Sequence, residues 1–177
     1  LTSANLTGAL PAIDGSALTG NVGKVIGVYH SLPTGTTSGA TQNLWYDSVV
    51  SITFTPISST STFLVWYNAG VTLYDTTGDG GVSLRLKRVH NGVTLYPDGL
   101  STDSGDTNRH SWFYSNQNPS TTTFYQLATV QGYDADAHTT SSITYTLQFA
   151  SYNEGNVVVG NDWGVARSQF NVLEISS

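Results

Sequence analysis

The side chains of this 177-residue chain that could support chemistry begin with two pairs of carboxylates. Asp103 lies near Asp106, and Asp134 lies near Asp136. Glycoside hydrolysis needs two carboxyl groups facing one bond, with one of them kept protonated by an apolar pocket. Both pairs lie in polar stretches typical of turns, where carboxylates stay ionised and bond to their own backbone. The spacing therefore predicts turns rather than a hydrolytic centre.

Motifs for metal binding and nucleophilic catalysis give no better candidate. The sequence has no Gly-x-Ser-x-Gly motif, and Asp106 with His110 near a serine is expected by chance in a serine-rich chain. The stretch Asp75–Gly80 lacks the register and the distal glutamate of a calcium loop, which favours a tight turn. We therefore predict no enzyme activity, no cofactor and no metal. Histidines at metal-ligand spacing are also missing from the sequence, since the four are scattered: His30, His90, His110 and His138.

Aromatic residues give the strongest remaining signal. The chain has four Trp and ten Tyr but little charge, and core packing accounts for most of these rings. Rings on loops beside Asp, Asn and Arg are typical of a sugar-binding surface, because sugar C–H groups stack on rings and hydroxyls bond to carboxylates. The candidate receptor contacts are Asp103, Asp106, Arg109, His110, Trp112, Tyr114, Tyr133, Asp134, Asp136 and His138.

Composition narrows the possible partners. Six Lys and Arg against twelve Asp and Glu give a net charge of −6, and half of the cations are Arg85, Lys87 and Arg88. No basic stripe is available for phosphates, so we expect no nucleic-acid binding. No apolar run is long enough for membrane insertion. The chain contains neither Cys nor Met. A first residue other than Met predicts either a processed product or the C-terminal piece of a longer polypeptide, and we favour the second.

Strand formers and turn residues dominate the chain, which predicts an all-β protein. Val50–Thr55 and Ile143–Phe149 alternate apolar and polar residues, and Asn91-Gly92 indicates a hairpin. Residues 31–43 read as a loop. About eight to ten such strands predict an antiparallel β-sandwich, with a jelly roll as the preferred topology.

The first twenty residues have a different pattern. Leu6-Thr7-Gly8 returns as Leu18-Thr19-Gly20, and the spacing of apolar residues is neither helical nor strictly alternating. One reading is a disordered leader. The other is a segment that buries its apolar side chains only against copies of itself around a rotation axis. The side chains that such a trimerisation neck would bury are Leu1, Leu6, Leu10, Ile13 and Leu18.

Residues 6–20, LTGALPAIDGSALTG, resemble the connector repeats of bacteriophage fibre proteins, which include tail fibres, tail-tip proteins and head fibres. The phrase LPAIDGSALTG is similar to the segment that often precedes a C-terminal head domain in that family. The match covers about twenty residues closely, and the rest of the chain agrees only in its all-β character. The resemblance implies a homotrimeric protein of the virion, on the phage tail or the capsid surface. Residues 1–22 would form an extended neck and residues 23–177 a β-sandwich head.

The function expected from this resemblance is structural and adhesive. The protein would trimerise with itself, join other virion proteins on its N-terminal side and attach the virion to a host-surface glycan or protein. Two alternatives stay open: a head fibre or decoration protein of the capsid without a receptor role, and a monomeric carbohydrate-binding module of a secreted bacterial protein. A polysaccharide hydrolase is the least favoured.

Overall fold

The computed structural model describes residues 23–75, 80–97, 111–115, 122–135, 139–152, 155–160 and 168–176. In these ranges the regular structure consists of β-strands, and no helix there is long and apolar enough to cross a membrane. The strands are β1 (Val25–Ser31), β2 (Thr36–Gly39), β3 (Tyr46–Phe54), β4 (Thr62–Asp75), β5 (Gly80–His90), β6 (Val93–Leu95), β7 (Ser111–Ser115), β8 (Thr122–Asp134), β9 (Ile143–Tyr152), β10 (Gly155–Gly160) and β11 (Gln169–Ile175).

The first sheet is built around β4, its longest strand. One edge of β4 pairs with β8 along its whole length. The other edge is shared by two strands, because β11 pairs with Thr62–Asn68 and β10 pairs with Gly70–Asp75. Beyond them, β1 pairs with β11 and β2 pairs with β10. All of these pairings are antiparallel.

The second sheet has the order β3, β9, β5. The far edge of β5 is also shared, since β7 pairs with its first half and β6 with its last three residues. Asn91 and Gly92 connect β5 to β6 with φ angles of 49° and 76°, which are the left-handed values that a two-residue hairpin turn requires. The predicted Asn-Gly hairpin is confirmed.

The inner faces of the two sheets pack together and form one apolar core. Val50, Ile52 and Phe54 of β3 are buried, as their alternation predicts. The ring of Tyr145 stacks against Phe54 of its own sheet and Phe170 of the other, with centroid distances of 6.0 and 6.3 Å. The all-β antiparallel sandwich predicted from the sequence is therefore confirmed, whereas the jelly-roll topology stays a prediction.

One strand lies where the sequence predicts a loop. β2 falls within residues 31–43 and pairs with Val157–Gly160 at the edge of the first sheet. Its sequence has no apolar alternation that would indicate a strand. Backbone pairing with β10 and the close approach of a neighbouring ring hold β2 in place. A Cβ atom on Gly39 would lie 2.4 Å from the ring of Tyr46, so the glycine lets that ring pack directly on the strand.

A buried carboxylate on the last strand binds two other parts of the chain. Glu174 of β11 has no exposed surface and accepts hydrogen bonds from Tyr29 Oη and Ser61 Oγ, both at 2.6 Å. The backbone N–H groups of Ile57 and Ser58 donate to its Oε1 atom at 2.8 and 3.0 Å. Burial by itself would raise the pKa of Glu174, but these four donors outweigh burial and lower it. The carboxylate thus ties β1 and the β3–β4 connection to the last strand.

Candidate functional site

A row of polar residues crosses the outer face of the second sheet. Arg85 of β5 lies opposite Gln148 of β9, and Gln148 lies opposite Asp47 of β3. Directly opposed residues of paired strands point to the same face, so the three side chains meet. Together with Trp45, Lys87 and Tyr96 they form what we call the Arg85 cluster.

Arg85 holds two aromatic rings in place. Its guanidinium carbon lies 4.0 Å from the ring centroid of Trp45 and 4.0 Å from that of Tyr96, which are cation–π distances. Its Nε atom donates to Gln148 Oε1 at 2.6 Å, and its Nη2 atom donates to Tyr96 Oη at 3.1 Å. Arg85 is 8% exposed, whereas both rings are half-buried. The rings therefore reach solvent in fixed orientations.

Asp47 supplies an exposed carboxylate beside these rings. Its side chain is 51% exposed, and it accepts hydrogen bonds from Gln148 Nε2 at 2.6 Å and from the Lys87 ammonium. Partial burial would raise the pKa of Asp47, but the bonds from Lys87 and Gln148 and the charges of Lys87 and Arg85 lower it. The carboxylate is thus ionised at neutral pH and held in one direction.

This arrangement has the chemistry of a binding surface. Rings whose planes are fixed can stack on the C–H faces of a sugar without losing side-chain freedom on binding. The ionised carboxylate of Asp47 accepts hydrogen bonds from hydroxyl groups in the same region. Four of the six members lie on paired strands, and the two rings, Trp45 and Tyr96, lie directly next to the ends of β3 and β6.

The predicted receptor contacts and neck residues fall largely outside the described residues. Trp112 and Tyr114 lie on β7, whose backbone pairs with β5. Tyr133 lies on the outer face of the first sheet, where it is 50% exposed. Those outside the described residues are Leu1, Leu6, Leu10, Ile13, Leu18, Asp103, Asp106, Arg109, His110, Asp136 and His138.

The predicted exposed turn position of Asp134 is wrong. Asp134 is the last residue of β8 and is 3% exposed, because strand alternation turns it toward the inner face. There Arg88 Nη1 of the second sheet lies 2.5 and 2.6 Å from its two carboxylate oxygens. Tyr145 Oη donates to Asp134 Oδ2 at 2.7 Å. This carboxylate joins the two sheets and is not available to a receptor.

Sequence reasoning missed most of the Arg85 cluster. The alternation of apolar and polar residues within 82–87 and 143–149 indicates that Arg85, Lys87 and Gln148 face away from the core. It gave no sign of Trp45 and Tyr96, which lie just outside the ends of strands. The signal that would unite them is the register between β3, β9 and β5, which a single sequence does not carry.

Comparison with known proteins gives structural likenesses only. No protein-family model and no curated protein matches this chain. The structure of the infectious bursal disease virus Gx strain matches with a TM-score of 0.38 and 11% identity over 84% of this chain. The Gt strain of that virus matches with a TM-score of 0.39 and 13% identity over 84%. The matched region covers 37% of the viral chain in each case.

Proposed function

We propose that this chain is a fibre protein of a bacteriophage virion, homotrimeric, that attaches the virion to a glycan on the host surface. Its role is structural and adhesive rather than enzymatic. The β-sandwich head contacts the glycan, and residues 1–22 act as the neck that joins three copies and leads toward other virion proteins.

The observation that carries the adhesive part is the Arg85 cluster. The Trp45 and Tyr96 rings are fixed by one buried guanidinium, and the Asp47 carboxylate is fixed beside them. A ring that is already ordered loses little entropy when a sugar stacks on it, so a small site gains affinity. The cluster thus supplies a receptor surface separate from the loop residues that the sequence suggested.

The connector resemblance of residues 6–20 supports the trimer. A single shallow glycan site binds weakly, but three copies on one rigid tip bind a repeating polysaccharide with much higher avidity. Adhesion through a modest site and assembly into a trimer are therefore parts of one mechanism.

Binding of the intact chain to an array of bacterial surface polysaccharides tests the proposal. We expect binding that Trp45→Ala weakens by at least about tenfold, which corresponds to about 1.4 kcal/mol. Leu44→Ala is the matched control, because Leu44 is the adjacent residue, is 49% exposed and is not part of the cluster. The proposal is overturned if the intact chain binds no polysaccharide, or if the Trp45 and Leu44 variants bind equally.

The Arg85 cluster also favours a second candidate, a monomeric carbohydrate-binding module, because the cluster lies within one chain. Light scattering separates the two. A mass near 57 kDa, three times the 18.9 kDa of one chain, supports the fibre protein, and a mass near 18.9 kDa supports the module.

A further inference from the structure

The outer face of the first sheet carries a row of apolar side chains. Val28 of β1 lies opposite Leu173 of β11, Leu173 lies opposite Leu64 of β4, and Leu64 lies opposite Tyr133 of β8. The row thus crosses four neighbouring strands. Trp66 lies two residues beyond Leu64 on the same face.

This face is also exposed. Val28 is 70% exposed, and Tyr125 and Leu127 of β8 are both 54% exposed. Together with Val25 and Tyr133, these residues make up half of the large hydrophobic side chains that are exposed in the described part of the chain. Exposed apolar side chains collected on one face are typical of an interaction surface.

The same face is uncharged. Among the described residues, the outward positions of β1, β11, β4 and β8 include no Asp, Glu, Lys or Arg. The outer face of the second sheet, by contrast, carries the charged side chains of Arg85, Lys87 and Asp47. The two outer surfaces of the sandwich therefore have different chemistry.

The edge of this sheet is suited to contact with another chain. β8 pairs with β4 over thirteen residues without a register shift, and its other edge pairs with no strand in the described ranges. It contains no Pro and no Lys, and its one charged residue, Asp134, points inward. Edge strands that stay exposed to solvent are usually interrupted by charges, prolines or bulges. β8 has none of these on its solvent side.

We propose that the outer face of the first sheet, with β8 at its edge, is the surface through which the heads of identical chains pack around their common axis. Each chain carries a net charge of −6, so identical chains repel one another least where they meet through a surface without charged side chains. The proposed neck, residues 1–22, would lead into β1, which belongs to this same sheet and carries Val28. The inference rests on the proposed homotrimer and names the interface in its head.

Light scattering of the intact chain and of Leu127→Glu tests this interface. We expect a mass near 57 kDa for the intact chain, three times 18.9 kDa, and a shift toward 18.9 kDa for the variant. The matched control is Val93→Glu, since Val93 is 55% exposed but lies on β6 of the second sheet. Thermal unfolding tests whether each variant is folded. If Leu127→Glu fails to fold, Val28→Glu takes its place.

The outcomes separate this inference from the proposed function. A trimer that Leu127→Glu and Val28→Glu leave intact, but that deletion of residues 1–21 dissociates, overturns the head interface and leaves the trimeric fibre standing. A monomeric intact chain overturns both. Polysaccharide binding that is lost in Leu127→Glu without any change in mass overturns the interface and makes this face the receptor surface.

Discussion

Arg88 Nη1 lies 2.5 Å from Asp134 Oδ1, and this ion pair joins the two sheets across the core of the sandwich. Both side chains are almost fully buried, with 5% and 2% exposed. Tyr145 adds a hydrogen bond to the same carboxylate. Buried charges of this kind are costly to separate, because a lone charge in the core has no water to stabilise it.

Replacing one partner of this pair should destabilise the head strongly. For Asp134→Ala we expect a loss of about 3 to 5 kcal/mol in the free energy of unfolding, because the Arg88 charge remains buried without its partner. Urea unfolding followed by fluorescence measures this loss. The double variant Arg88→Met/Asp134→Leu should lose less than Asp134→Ala alone. A larger loss in the double variant would contradict this account.

The stability of the head should fall in acid partly because of Glu174. The pKa of this carboxyl is lower in the folded chain than in the unfolded one, so the unfolded chain takes up the proton first as the pH decreases. The contribution is complete above the ordinary carboxyl pKa of about 4.3 and is lost as the pH falls through the folded value. Urea unfolding at pH 7 and at successively lower pH measures this loss.

Glu174→Gln is the control for the pH experiment. The amide places two hydrogen-bond donors where Tyr29, Ser61 and the backbone donate, so we expect a loss of about 2 kcal/mol at pH 7. The variant should also show a smaller decrease in stability with acid than the parent chain. An unchanged pH dependence would assign the acid sensitivity to other carboxylates, such as Asp47, whose pKa is also lowered.

Tyr67→Phe should stabilise the head. Tyr67 is 1% exposed, and its hydroxyl has no hydrogen-bond partner among the described residues. Removing a buried hydroxyl without a partner should raise the free energy of unfolding by about 1 kcal/mol. Tyr145→Phe is the matched comparison, because its hydroxyl bonds to Asp134, and it should lose about 1.5 to 3 kcal/mol. Destabilisation by Tyr67→Phe would mean that its hydroxyl has a partner after all.

Arg85→Lys should disrupt the candidate glycan site although it keeps the charge. An ammonium group has no planar face to lie against Trp45 and Tyr96, and the bond from Nε to Gln148 is lost. We expect a loss of about 1 to 2 kcal/mol in unfolding free energy, together with weaker polysaccharide binding. Lys87→Ala removes only an ion pair to the half-exposed Asp47, and it should change stability by less than about 1 kcal/mol.

Much of the fold could be predicted from the sequence, because core positions repeat with the period of a strand. Val50, Ile52 and Phe54 show this alternation, and all three are buried. The Asn91-Gly92 turn could also be predicted, since its left-handed φ angles depend on only two adjacent residues. β2 could not be predicted, because it is held by pairing with β10 rather than by its own side chains.

The candidate site could not be predicted as a whole, since its members come together only through long-range register. Gln148 meets Arg85 and Asp47 because three strands align across more than a hundred residues of sequence. Asp134 shows the same limit of prediction from the sequence. Its sequence context is that of a turn, but β8 continues as far as Asp134 and places the carboxylate inside.

The shared edge of β4 has a consequence for how the head folds. Thr62, at one end of this strand, pairs with Ile175, and Asp75, at the other end, pairs with Gly155 on one side and Thr122 on the other. The first sheet is therefore incomplete until the chain has been synthesised as far as Ile175. Such non-local pairing slows folding and leaves apolar strand faces exposed during synthesis. We therefore expect the head to fold slowly, on a millisecond-to-second scale.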